Sequence, residues 1–257
     1  CIGGDGTFTG AKIFAEEFGV KVIGVPGTID NDIFGTDFTI GYDTALNTAM
    51  EAIDKIRDTA TSHNRVFFIE VMGRDAGFIA LNSGIASGAL DILIPEKKDS
   101  LEDLFETFEK AQKRGKTSSI VIVAEGERLA STYELAEQTK QRFPDYDIRV
   151  SILGHIQRGG APSCADRVLA SRMGYGAVVG LMKGLTNVMA GIRSNDLVFT
   201  PIEDAIRKHN EINQDFVSPR RSVIEDEISN LEVDVVAMIT KEDVMVTLSR
   251  DGYLKKV

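Results

Sequence analysis

The sequence predicts an α/β protein with a largely parallel sheet. Short apolar runs rich in β-branched residues alternate along the chain with longer segments of helical periodicity. The apolar runs are nearly continuous, which is typical of strands that are buried on both faces. Five runs are therefore predicted strands: residues 20–25, 65–71, 92–95, 119–124 and 149–153.

Three helices are predicted around these strands. Residues 44–57 place Leu46, Met50 and Ile53 at helical spacing. Ser100 is a suitable N-cap for a second helix, which has acidic residues in its first turn and stops at Gly115. Residues 163–183 form a third, longer helical pattern. In a fold of this class, ligands bind at the carboxyl ends of the strands.

The composition is that of a globular protein. The 257 residues are 43% apolar, no run is long enough to span a membrane, and the formal charge is −10. An acidic chain argues against binding to a nucleic-acid backbone. Cys1 and Cys164 are the only cysteines and lie far apart, so we expect reduced thiols and a cytoplasmic protein.

Four glycine-bearing polar clusters follow predicted strands: residues 3–7, 26–32, 72–74 and 154–160. In the first cluster, glycines allow close approach of an anion, and a helix starting near Thr9 would direct its amide end at a phosphate. Asp5 could hold a magnesium ion there. The alternative is a simple turn between strand and helix, and the cluster lacks the GK[ST] ending of a P-loop.

The second cluster, PGTIDNDI, contains two carboxylates. In an extended segment Asp30 and Asp32 point to the same side, so that one could accept a proton and the other help to place a metal ion. The alternative is that both side chains cap the turn and the element that follows. Thr28 adds another hydrogen-bonding group and Gly27 leaves room for a ligand, which favours a binding site.

Four arginines flank predicted strand ends: Arg65, Arg74, Arg149 and Arg158. Guanidinium groups bind phosphate oxygens bidentately, so we interpret the four as a phosphate cage rather than as solvated surface residues. His155 is interpreted as a structural hydrogen bonder, and Glu125 either binds sugar hydroxyls or is simply exposed. Together, the anion site, the carboxylates and the arginines indicate phosphoryl transfer.

These motifs resemble the bacterial ATP-dependent 6-phosphofructokinase family, through IGGDGT, PGTIDNDI, SHNR, EVMGR, AEGE and ILGHIQRGG in that order. The resemblance covers about residues 1–213. It implies a Rossmann-like phosphofructokinase fold of two lobes with mainly parallel sheets. It also implies a homotetramer that uses ATP and Mg²⁺ to phosphorylate fructose 6-phosphate at its 1-hydroxyl, giving fructose 1,6-bisphosphate.

The resemblance assigns roles to individual residues. Asp30 would be the base, Thr28 and Arg74 would steady the phosphoryl group, and Asp5 and Asp32 would serve Mg²⁺. The nucleotide phosphates would lie against Gly4, Asp5, Gly6 and Thr7. The sugar phosphate would be held by Thr28, Ile29, Asp30, Arg65, Met72, Gly73, Arg74, Glu125, Arg149, His155, Ile156, Gln157 and Arg158. Two of these, Arg65 and Arg149, would reach across from a neighbouring subunit.

Residues at a few family positions indicate which phosphoryl donor is used and whether an effector binds. Pyrophosphate-using relatives carry Asp and Lys where Gly6 and Gly27 stand, so we expect ATP to be the donor. The family's effector site maps onto Arg57, Gly88 and Lys116. Its acidic member is replaced by Leu90, which cannot ligate a cation, so activation by ADP is not expected.

Both ends of the chain depart from the resemblance. The sequence opens mid-strand at Cys1, so we expect a body that lacks the family's first strands and neither binds ATP tightly nor turns over. Residues 214–257 resemble the A subunit of bacterial type II topoisomerases, with a β-hairpin formed by residues 244–248, a turn at 250–252 and the residues that follow. We interpret this tail as a gene fusion or an assembly artefact.

Three other functions remain as alternatives to the ATP-dependent kinase. The first is a pyrophosphate-dependent phosphofructokinase. The second is a DNA-interaction module derived from the topoisomerase-like tail, although acidic residues outnumber basic ones in residues 214–257. The third is a non-catalytic protein that binds a sugar phosphate.

Overall fold

The structure is a computed structural model of the chain. It describes residues 1–60, 65–97, 99–115, 119–207, 246–248 and 254–256. The chain divides into two units, Cys1–Phe216 and Val217–Val257. The sequence-based division at residue 213 stays a prediction.

The first unit alternates strands and helices throughout its described residues. Its strands are β1 (Ile2–Gly3), β2 (Ile23–Thr28), β3 (Ile40–Gly41), β4 (Arg65–Val71), β5 (Asp91–Leu93), β6 (Ser119–Ala124), β7 (Asp147–Ile152), β8 (Val188–Arg193) and β9 (Asp196–Pro201). Its α-helices are α1 (Asp5–Phe18), α2 (Tyr42–Ala60), α3 (Phe78–Ser87), α4 (Leu101–Lys113), α5 (Thr132–Arg142), α6 (Cys164–Met182) and α7 (Ile202–Ala205), with a 3-10 helix at Gly154–Arg158.

Two sheets organise these elements. The first has the order β1-β2-β8-β9, with β3 also paired to β2, and only the β8-β9 pair is antiparallel. The second has the order β5-β6-β4-β7 and is wholly parallel. The predicted α/β class with mainly parallel sheets is therefore confirmed.

Each sheet is covered by helices on both faces. In the second sheet, Ile69 and Val71 of β4 pack under α2 and α3, while Val66 and Phe68 face α4 and α5. In the first sheet, Phe8 of α1 contributes to one core and Met173 of α6 to the other. Strands buried on both faces explain why their sequences are continuously apolar.

Most predicted elements are present, with shifted ends. The strands at 65–71 and 119–124 and the cap at Ser100 match, and Ser100 forms a full capping box with Asp103. The first helix begins at Asp5, and the prediction of a start near Thr9 was wrong. Gly4 takes the extended N-cap conformation, and the Asp5 carboxylate accepts the amide of Gly6 at 2.8 Å, so the glycine turn is the first helical turn.

In the second unit, β10 (Val246–Leu248) pairs antiparallel with β11 (Leu254–Lys256). This agrees with the predicted hairpin, although its turn at 250–252 lies outside the described residues. The other residues of the tail for which the sequence predicts a topoisomerase resemblance, 214–245, 249, 253 and 257, also lie outside them. In the described ranges, no helix has the length and apolarity required to cross a membrane.

Candidate functional site

The carboxyl ends of strands from both sheets meet at one cleft in the first unit. Gly4 follows β1, Thr28 ends β2, and Asp30 lies two residues beyond it. From the second sheet, Arg74 follows β4 and Arg158 closes the turn after β7. All five residues line a cavity of about 480 Å³ together with Gly27, Ile29 and Ile40.

Asp30 is the most buried carboxylate of this cleft, with 8% of its surface exposed. Burial raises the pKa of Asp30 above its ordinary value, and Glu125 adds to the rise. The Thr28 hydroxyl and the charges of Arg158 and Arg74 oppose it. A carboxylate with a raised pKa and arginines nearby is a suitable proton acceptor for a substrate that carries phosphate.

Asp32 lies close to Asp30, but the segment between them is not extended. Asn31 adopts a left-handed conformation with φ of 56°, and its side chain accepts the Thr39 amide at 2.8 Å. The prediction that this segment is extended, so that Asp30 and Asp32 point to the same side, was therefore wrong. The carboxylates still interact, because burial, the charge of Asp30 and the charge of Asp5 raise the pKa of Asp32.

The amino end of α1 faces the same region. Asp5, Gly6 and Thr7 form its first turn after Gly4, so backbone amides and the helix dipole can favour an anion there. A Cβ atom added at Gly6 would meet no heavy atom within 4 Å, which means that the space beside this glycine is open. The Asp5 carboxylate is 3.3 Å from Nη1 of Arg74.

A strained turn after β4 presents Arg74. Arg74 has φ of 55°, and Oε2 of Glu125 accepts its amide at 3.1 Å and the amide of Gly73 at 3.3 Å. A Cβ atom at Gly126 would lie 2.2 Å from the Arg74 carbonyl oxygen. Sequence reasoning missed Gly126, although its place inside the AEGE motif was a possible signal. Glu125 holds the turn from the end of the neighbouring strand.

Gly126→Ala is expected to displace the Arg74 turn. It should lower kcat/KM of the predicted phosphoryl transfer roughly tenfold or more, and the free energy of unfolding by about 1–3 kcal/mol. The added methyl collides with backbone, which cannot rotate away as a side chain can. Gly174→Ala on α6 is the matched control, because its Cβ meets nothing within 4 Å. Kinetics and urea unfolding of both variants check this. Equal behaviour of the two variants would contradict it.

The turn after β7 contributes residues of two kinds. Gln157 is 1% exposed, and its Oε1 accepts the Met72 amide at 2.8 Å, so it joins this turn to the one after β4. Its Nε2 is buried without a hydrogen-bond partner among the described residues. His155 and Ile156 are exposed at the surface of the turn. Gln157 therefore supports the site from the protein interior, whereas His155 and Ile156 are exposed to solvent.

The predicted cage of four arginines does not form within one chain. Arg65 is the first residue of β4 and Arg149 the third of β7, so both lie toward the amino end of the parallel sheet. Arg74 and Arg158 lie beyond the carboxyl end. Seven residues of β4 separate these ends by roughly 20 Å. Arg65 and Arg149 instead form ion pairs with Asp147, each at 3.0 Å.

The predicted effector residues are placed only in part. Arg57 lies in the last turn of α2, and Gly88 is the left-handed C-cap of α3 with φ of 61°. Leu90 is partly buried against the core beneath α4 and α5. Lys116 lies outside the described residues.

Two carboxylates are available for a metal ion. Asp5 and Asp32 line a neighbouring cavity of about 330 Å³, which also contains Arg74. In the part of the chain that the structure describes, no group of three or more His, Cys, Asp or Glu residues could hold a metal. Mg²⁺ is commonly held by one or two carboxylates and completed by substrate phosphates and water, so this pair fits that mode.

Known proteins resemble this chain in sequence and in fold. The chain is 54% identical over 217 residues to "ATP-dependent 6-phosphofructokinase 2" of Bacteroides thetaiotaomicron, which covers 84% of this chain and 67% of that protein. A phosphofructokinase structure from Saccharomyces cerevisiae is 33% identical with a TM-score of 0.75, covering 80% of this chain and 31% of the other. A pyrophosphate-dependent phosphofructokinase from Marinobacter aquaeolei is 26% identical with a TM-score of 0.68, covering 80% and 59%.

The chain thus spans about two thirds of the length of the curated relatives that it matches. Residues 1–181 match the sequence profile of the phosphofructokinase family. The Rossmann-like sheets and the shared cleft agree with that match. The chain belongs to the phosphofructokinase family.

Proposed function

We propose that this protein transfers the γ-phosphoryl group of ATP to the 1-hydroxyl of fructose 6-phosphate, giving fructose 1,6-bisphosphate and ADP. The observation that carries the proposal is the buried Asp30 in one cavity with Thr28, Arg74 and Arg158. Identity above 50% to relatives named ATP-dependent 6-phosphofructokinase supports the reaction and the donor.

Asp30 would accept the proton of the attacking hydroxyl. Its raised pKa, caused by burial, makes it a stronger base than an exposed aspartate. Arg74 and Arg158 would neutralise phosphoryl oxygens, and the Thr28 hydroxyl would donate a hydrogen bond to them. This division of roles suits a reaction in which positioning and charge neutralisation supply most of the catalysis.

The nucleotide phosphates would lie at the amino end of α1, against Gly4, Gly6 and Thr7. Asp5 and Asp32 would hold Mg²⁺, which when bound neutralises charge on phosphate oxygens. Arg74, now 3.3 Å from Asp5, is positioned between this region and the sugar side of the cleft. Its guanidinium would therefore contact the phosphoryl group that is transferred, both when ATP carries it and when the sugar does.

Gly6→Asp is expected to lower kcat/KM for ATP by at least roughly a hundredfold. The space beside Gly6 is open, so the new carboxylate fits the fold and repels the phosphates at about 4 kcal/mol per charge pair near 4 Å. Gly10→Asp, on the same helix and with an equally open Cβ, is the control. Steady-state kinetics with ATP and with pyrophosphate check this. Unchanged ATP kinetics in Gly6→Asp would contradict ATP binding at this helix end.

We also propose a homotetramer in the cytoplasm. Arg65 and Arg149 lie at the opposite end of the sheet from Arg74, so they could bind the phosphate of fructose 6-phosphate only in a neighbouring subunit's cleft. Sedimentation velocity with and without fructose 6-phosphate tests the assembly. A strictly monomeric protein that binds this sugar phosphate through Arg65 and Arg149 would contradict it.

A coupled assay for fructose 1,6-bisphosphate tests the reaction, in this chain and in a form extended to the length of its relatives. We expect turnover with ATP and not with pyrophosphate in the extended form. Absence of turnover there would contradict the proposal. Thermal protection by fructose 6-phosphate without turnover would favour a sugar-phosphate binder. Salt-sensitive binding to DNA would favour the module predicted for residues 214–257.

A further inference from the structure

Asp147 lies between two arginines at the amino end of the second sheet. In the parallel register of β4 and β7, Arg65 is directly opposite Asp147, and Arg149 follows two residues later on the same side of its strand. One Asp147 oxygen is 3.0 Å from Nε of Arg65, and the other is 3.0 Å from Nε of Arg149. Nη2 of Arg149 donates to the first oxygen at 3.3 Å.

Asp147 occupies one side of each guanidinium, and Nη1 of Arg65 also donates to the Thr59 carbonyl at 3.4 Å. Both arginines use Nε toward Asp147, and Arg149 uses the adjacent Nη2 as well, so its outer edge with Nη1 faces away from the carboxylate. The Arg149 side chain is 60% exposed and that of Arg65 is 32% exposed. The hydrogen bonds and charges of the two arginines lower the pKa of Asp147, so it is an anion at neutral pH. The cluster keeps one net positive charge.

We propose that Asp147 is a positioning residue, which fixes Arg65 and Arg149 side by side so that the outer edge of Arg149 and Nη2 of Arg65 form a preorganised site for a sugar phosphate. This inference rests on the proposed function, in which these two arginines bind the phosphate of fructose 6-phosphate. Asp147 itself does not contact the sugar phosphate. It acts through the orientation of its two partners.

Two opposing effects decide the sign of a substitution. Removing the carboxylate removes an anion near the phosphate, which favours binding by a few-fold at an exposed site. It also frees two long side chains, whose ordering on binding then weakens affinity by roughly tenfold or more. Loss of order is the larger effect, so we expect weaker binding.

The test measures the dissociation constant for fructose 6-phosphate by calorimetry in the full chain. Asp147→Asn and Asp147→Ala are expected to weaken binding by a net factor of roughly three to ten, while Asp147→Glu, which keeps the carboxylate, restores most of the affinity. Asp145→Asn is the matched control, because it removes an exposed carboxylate two residues earlier. Sedimentation of each variant shows whether assembly is retained, so that a loss of subunits is not mistaken for a loss of positioning.

Unchanged or tighter binding by Asp147→Asn would overturn the inference. If the wild-type chain binds no fructose 6-phosphate, the proposed function fails instead. The positioning role is then judged by the Nε–H signals of Arg65 and Arg149 in nitrogen-15 NMR, assigned with Arg65→Lys and Arg149→Lys. Faster solvent exchange of these signals in Asp147→Asn supports the role, and unchanged exchange overturns it.

Discussion

Asp30→Asn is expected to lower kcat by roughly 10²- to 10⁴-fold while KM for fructose 6-phosphate changes little. The amide keeps the size of the side chain and its contact with Thr28, but it cannot accept the proton of the attacking hydroxyl. Steady-state kinetics of the form extended to the length of the relatives give kcat and KM separately. Asp54→Asn, the same change on the exposed side of α2, is the control and should leave both constants unchanged.

The same substitution should stabilise the fold at neutral pH. Burial raises the native pKa of Asp30 above the ordinary value of 3.8, so the native state binds more protons than the unfolded state between the two values. Stability therefore falls as pH rises through that window, and above it the buried anion destabilises the protein. Asp30→Asn should raise Tm at pH 7, with a gain that shrinks as pH falls toward 3.8.

Opposite changes in activity and stability would separate a catalytic role from a structural one. If Asp30 only capped a turn, Asn would replace it with little change in stability or in kcat, because Asn caps turns about as well as Asp. A near-normal kcat in Asp30→Asn, with a Tm at pH 7 that does not rise, would therefore contradict the assignment of Asp30 as the base.

Asp166→Ala is expected to lower the free energy of unfolding by at least roughly 3 kcal/mol. This carboxylate of α6 is 3% exposed and accepts the amides of Gly41 and Thr44, each at 2.9 Å, as well as the Thr44 hydroxyl. Alanine leaves these three donors without their acceptor, at about 1–3 kcal/mol for each buried group. The substitution thus removes the carboxylate hydrogen bonds between the amino end of α2 and α6, and leaves the bond from the Ser163 amide to the Thr44 hydroxyl at 3.0 Å.

Urea unfolding measures this effect through the midpoint and slope of the transition. Asp166→Asn keeps one carbonyl acceptor and should give an intermediate loss. Ser100→Ala, which removes the local cap of α4, is the comparison and should cost about 1 kcal/mol. If Asp166→Ala lost no more than Ser100→Ala, the network would not stabilise the fold as its geometry indicates.

Local chemistry explains which parts of the fold could be predicted. A strand buried on both faces is apolar at every position, so β4 and β6 were found with their observed ends. Ser100 caps its helix through a hydrogen bond from the amide of Asp103, three positions later, which a short window of sequence contains. The start of α1 was missed because a glycine can either form a turn or cap a helix.

The sequence predicted which loops form the site, but not how their side chains are arranged. Parallel strands bring their carboxyl ends to one edge, so clusters that follow strands, such as those of Thr28, Arg74 and Arg158, were expected to meet. Proximity in sequence misled for Asp30 and Asp32, because the left-handed Asn31 between them bends the chain.

By itself, the sequence determined the α/β class, the helix cap at Ser100 and the order of the motifs, because each depends on neighbouring residues. Only the tertiary structure decided which side chains meet. Arg65 and Arg149 flank strands just as Arg74 and Arg158 do, yet they lie at the other end of the sheet and share Asp147. The reason is physical: a strand of seven residues separates its two ends by roughly 20 Å, and the register between strands is set by long-range pairing.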